Sequence, residues 1–84
     1  MIGYVATHKD DYNVGETYKV KGLPKVESEY GYVVYTSLTL AIIMYGMVEE
    51  TRIYEAEILG AMEKESFGRY VRTNKMRVIR EITT

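Results

Sequence analysis

Hydrophobic and polar positions alternate in short blocks along most of the chain, and one longer apolar run interrupts them near its middle. Residues 2–7 are rich in β-formers, and Asp10, Asp11, Tyr12 and Asn13 with Gly15 predict a turn before residues 16–20 resume the alternation. Gly22 and Pro24 end that second strand, because proline cannot donate to a ladder, and a surface loop follows to about Glu29. In residues 31–36, Tyr32, Val33, Val34 and Tyr35 are all β-favouring with no polar alternation, which predicts a buried strand central in its sheet. Ser37 is a good helix N-cap. Behind it Leu38, Ala41, Ile42 and Tyr45 recur at helical spacing, and Leu40, Ile43 and Met44 fill the neighbouring stripe. A helix so apolar around its girth is expected to be covered, and Gly46 is a natural place for it to stop.

The second half predicts a strand over residues 51–59, a loop over 60–68, and strands over 69–73 and 75–82. Within 51–59, Tyr54, Ala56 and Ile58 face one way and Glu55 and Glu57 the other, so one face is wet. Lys75 and Arg77 share a face of the last strand; pairing it with 51–59 sets opposite charges across from each other, at about 0.2–1 kcal/mol per pair. Asn74 is expected to turn a hairpin between the last two strands. These elements give an α+β fold: a small twisted, mostly antiparallel sheet of about five or six strands with one central helix.

A length of 84 residues fits one domain, 1–84, with a single core. Hydrophobic residues make up 46% of the chain and proline occurs once, which favours an ordered chain over a disordered one. A formal net charge of -1 gives no general attraction to phosphates, so non-specific nucleic-acid binding is not expected. No cysteine is present, which excludes disulfides, thiolate zinc sites and a thiol nucleophile, and points to a reducing compartment. The N-terminus lacks the pattern of a secretory signal. The longest apolar stretch, 40–48, is interrupted by Gly46, so a soluble, cytoplasmic protein without membrane attachment is expected.

Candidate chemistry is sparse: the chain has no glycine-rich phosphate loop, no paired-histidine zinc motif and no nucleophile elbow, and no metal site is expected. His8, beside Lys9, Asp10 and Asp11, is either an ordinary loop histidine or a base whose orienting partner comes from elsewhere in the fold. Nine tyrosines without a tryptophan serve either as a binding surface or as large half-buried filler of a small sheet. Glu49-Glu50 and Glu63-Lys64-Glu65 supply either a catalytic acid, a polar recognition patch or solvated loop charge.

The run Val34-Tyr35-Thr36-Ser37-Leu38-Thr39-Leu40-Ala41-Ile42, then Arg52-Ile53-Tyr54-Glu55-Ala56-Glu57, Gly60 and Glu63, and finally Met76-Arg77-Val78-Ile79-Arg80-Glu81-Ile82, resembles the small rifamycin ADP-ribosyltransferases. The segment Tyr12-Asn13-Val14-Gly15-Glu16-Thr17-Tyr18 and the closing strand also resemble short uncharacterised proteins of phage and prophage type. The resemblance implies a split antiparallel sheet whose cleft, in the enzymes, holds NAD. It implies a histidine in the first strand, a tyrosine that stacks on nicotinamide and an acidic residue after the glycine of a later strand. Tyr35 matches the tyrosine. Ala6 stands at the histidine position and His8 two residues on, while the acidic position falls on Lys64 or Glu65 with Glu63 adjacent. With that triad eroded, the favoured expectation is a non-catalytic, phage-type inhibitor or accessory protein in the host cytosol. It would bind a host protein, or an NAD-derived nucleotide at Tyr35 and His8. The alternatives are a minimal NAD-dependent ADP-ribosyltransferase using Tyr35, His8, Glu63 and Glu65, and a structural or assembly protein that pairs as a homodimer.

Overall fold

A computed structural model describes residues 1–8, 11–46 and 50–82. Lys9, Asp10, Met47, Val48 and Glu49 of the expected turn, apolar run and acidic pair lie outside them. Among the described residues seven strands and one helix follow in the order β1 (Ile2–Thr7), β2 (Thr17–Lys19), β3 (Tyr32–Tyr35), α1 (Leu38–Tyr45), β4 (Arg52–Ile58), β5 (Met62–Lys64), β6 (Tyr70–Thr73) and β7 (Lys75–Ile82). The fold is α+β, and every strand pairing is antiparallel, in the order β2-β7-β4-β1-β3-β6-β5. One strand more than expected forms because Met62–Lys64, expected as loop, pairs with β6.

The last four strands make one long bent hairpin. Glu57 opposes Arg77, Ile58 opposes Met76, Met62 opposes Thr73 and Lys64 opposes Val71, so β4 and β5 form one arm and β6 and β7 the other. The turn between the arms is at residues 65–69. Asn74 is therefore not a hairpin turn, contrary to expectation: it sits within the second arm, where its N–H donates to Ala61 O and its O accepts from Val20 N–H. Two bulges bend the arms. Glu55 opposes Arg80 and Ala56 opposes Val78, which leaves Ile79 extra on β7; between the Ile58–Met76 and Met62–Thr73 pairs the first arm carries one residue more than the second.

That bend lets the sheet curl onto itself. The second arm pairs with β3 through β6 and with β4 through β7, and β1 lies between β3 and β4, which closes a small ring of strands. Inside it Val5, Val34, Tyr54, Ala56, Val71, Thr73, Met76 and Val78 are all at most 2% exposed, each valine and the methionine stabilising by about 1.5–3 kcal/mol. The expected wet face of β4 is the outside of the ring, where Glu57 pairs with Arg77 at 2.9 Å and Glu55 with Arg80 at 3.4 Å.

Ser37 caps α1 by accepting a bond from the Leu40 N–H at 3.1 Å. Gly46, at φ 85°, ends the helix and donates its N–H to Ile42 O, a backbone state that only glycine adopts cheaply. The helix lies on the outside of β1 and β3, where Ala41 packs with Tyr35 and Ile53, and Leu38, Leu40, Ile42 and Tyr45 are half-buried. It is not covered all round: Ile43 is 70% exposed and Met44 also reaches solvent. The curled sheet fills its own interior, so the helix has only one outer surface to cover and buries one stripe.

Candidate functional site

The tyrosines pack rather than pave the surface; all except Tyr30 are at least half-buried. At one end of the ring the Tyr12 ring meets Tyr18 and Tyr54 edge-on, at 5.1 and 5.9 Å between centroids, and Tyr32 packs on the same core. Burial, with the Asp11 charge adding to it, pushes the Tyr12 hydroxyl up to about 12.

Tyr35 is buried at 9% exposure between the sheet and α1, edge-on to Tyr70 at 6.1 Å, and burial raises its hydroxyl pKa. Its ring belongs to the helix-side core, and stacking on a ligand would require that core to open. His8 is exposed at the end of β1, its ring 4.6 Å from that of Tyr45. Tyr4 is the residue opposite Tyr35, and His8 lies four positions further along the strand, roughly 13 Å away. Glu63 opposes Arg72 on β5, and its Oε1 accepts the Val26 N–H at 2.6 Å, tying the loop before β3 to the sheet. Glu65 follows β5 and donates its N–H to Tyr70 O. Tyr35, Tyr70 and Glu65 are thus brought to one end of the sheet, while His8 is left at the other. No concave pocket is found among the described residues, and they hold no cluster of three or more His, Asp or Glu that could hold a metal ion.

Glu65 instead organises the turn of the long hairpin. Its carboxylate accepts the Phe67 N–H at 2.9 Å and the Arg69 N–H at 3.1 Å, and takes the Arg69 guanidinium through Nε at 2.9 Å and Nη2 at 3.2 Å. The hydrogen-bonded guanidinium, with the two backbone donors adding to it, holds this carboxyl at about 2 although burial pushes the other way. Gly68, at φ 73°, closes the turn, and the Thr36 hydroxyl bonds Gly68 O and Arg69 O, fixing it to the segment that starts α1.

The product of this lattice is one side chain held outward. Phe67 is 80% exposed, the most exposed large hydrophobic residue among those described, with the Arg69 guanidinium 5.0 Å from its ring centroid. The sequence pattern predicts only a loop over 60–68 and does not single out Phe67. The signal was the Glu65-Ser66-Phe67-Gly68-Arg69 string, an acid and a base four apart around a Phe-Gly turn.

Compared with protein-family models, curated proteins and solved structures, the chain matches none. Among the described residues no helix is long and apolar enough to cross a membrane.

Proposed function

We propose that this chain is a small non-catalytic binding domain that docks on a partner protein, the host protein of the expectation above, through its Phe67-tipped turn. The observation that carries the reading is an aromatic ring held in water by a turn that spends a carboxylate, a guanidinium and two backbone donors on its geometry. A surface ring so pre-organised loses little freedom on binding, and burying it in an apolar pocket contributes about 2 kcal/mol, or roughly thirtyfold in affinity.

Capture from the cognate cell lysate by the wild type and by Phe67→Ala, with amide spectra showing that both fold, tests the reading. A protein retained by the wild type and lost by Phe67→Ala supports it; identical captures by the two refute it. The nucleotide version is tested separately by titrating the labelled protein with NAD and ADP-ribose. Shifts clustered at Tyr35, His8 and residues 63–65 would move the binding site to the family-like positions; a silent spectrum leaves the protein partner.

A further inference from the structure

Strand order leaves β2 and β5 at the two ends of the hydrogen-bonded series. Flanking β5, the Glu65 N–H bonds Tyr70 O at 3.0 Å and the Asn74 N–H bonds Ala61 O at 3.3 Å. Antiparallel ladders alternate, so Ala61, Glu63 and Glu65 turn their backbone groups towards β6, while Met62 and Lys64 turn their N–H and C=O away from it. All three residues of β5 are exposed, and no backbone hydrogen bond from another described segment reaches Met62 or Lys64 on that side. The neighbouring loop lies on the strand's face, held through Glu63 to Val26 and through Arg72 to Glu29 O and Gly31 O.

The two edges differ in chemistry. By the same alternation β2 offers Thr17 and Lys19, both polar. β5 offers Met62, 42% exposed, and Lys64, which has no ion pair among the described residues, and the strand runs directly into the turn that presents Phe67. Met62 and Lys64 are two apart and share a face.

We propose that β5 takes up an extended segment of the partner protein as an added antiparallel strand, with an apolar side chain across from Met62 and an acidic one across from Lys64. This rests on the binding-domain reading and names the form of the partner. The outward N–H and C=O groups of Met62 and Lys64 supply the backbone bonds, and the side-chain pair sets the register. Phe67 anchors the partner beyond the end of the strand.

The test uses the full chain against a displayed library of random linear peptides. Enriched peptides are expected to carry apolar and acidic residues in alternate positions and to shift the amides of residues 62–64. Lys64→Pro removes an N–H that points away from β6, so it is expected to leave the fold and weaken those peptides at least about tenfold. Lys64→Glu, which leaves the backbone alone, is expected to weaken them too and to be rescued by a peptide whose acid is replaced by lysine. Peptides that shift other residues, that ignore both variants, or that are displaced by self-association of the protein at β5 overturn the proposal. So does the absence of any enrichment. A partner lost by Phe67→Ala but indifferent to both Lys64 variants would overturn strand addition and leave the binding-domain reading standing.

Discussion

Replacing Gly3 by alanine tests whether the ring of strands closes as tightly as its geometry indicates. β1 and β3 share one register pair, Tyr4 with Tyr35, and Gly3 sits beside it. A Cβ built on Gly3 falls 2.6 Å from Tyr35 O and 2.6 Å from Val34 Cγ1, about 0.8 Å inside ordinary contact. Neither neighbour yields freely, one being backbone and the other a fully buried side chain. Overpacking of this kind costs about 1–3 kcal/mol, and the reduced freedom of the unfolded chain returns about 0.4–1 kcal/mol, for a net loss near 1–2 kcal/mol. In a domain of this size that lowers the melting temperature by about 4–16 °C, measured by circular dichroism alongside urea unfolding. Val34→Ala removes one of the two clashing atoms, so combining it with Gly3→Ala should cost less than the two changes added, with a coupling of about 0.5–1 kcal/mol. A Gly3→Ala protein as stable as the wild type, or additive with Val34→Ala, would refute the close β1–β3 approach.

Three further outcomes follow from the turn, the tyrosine cluster and the helix. The Glu65 carboxyl titrates at about 2 in the fold against an ordinary 4.5, so its contribution to stability is complete above pH 4.5 and lost as pH falls to 2. Urea midpoints between pH 5 and 2.5 should drop for the wild type more than for Glu65→Gln, and equal slopes would contradict this. The Tyr12 hydroxyl, raised to about 12, stabilises the fold fully below pH 10 and loses that contribution as pH rises through 12. Absorbance titration should accordingly show late phenol ionisation that Tyr12→Phe removes. Ser37→Ala deletes the cap that accepts the Leu40 N–H and should cost about 1 kcal/mol by chemical denaturation, whereas a neutral result would show that the cap is dispensable.

Much of the candidate site was invisible in the linear order. His8, Tyr35, Glu63 and Glu65 could each be picked out as chemically able residues, but their meeting depends on strand register. Register sets His8 far along β1 from the Tyr4–Tyr35 pair, and its ring meets Tyr45 at the end of α1. Glu65 is identified by its bonds rather than its type: the same glutamate in solution would be loop charge, and here it fixes a turn. Phe67 is not legible in the sequence because a single aromatic among polar residues carries no period, and its exposure is a property of the turn.

Local rules were enough for the elements whose pattern is local. The Ser37 cap and the Gly46 stop depend on neighbours a few residues away, and the β1 and β7 spans and the two faces of β4 are legible because side-chain alternation along a strand is local even where its partners are distant. The closure of the sheet, the seventh strand at Met62–Lys64 and the place of Asn74 are not legible in this way. They depend on two bulges that offset one arm of a long hairpin against the other and bend both, and an extra residue shows as extra only when its partner strand is present. The half-bare helix has the same origin: its apolar girth is local, but how much of it is buried was decided by a sheet that curls inward and fills its own interior.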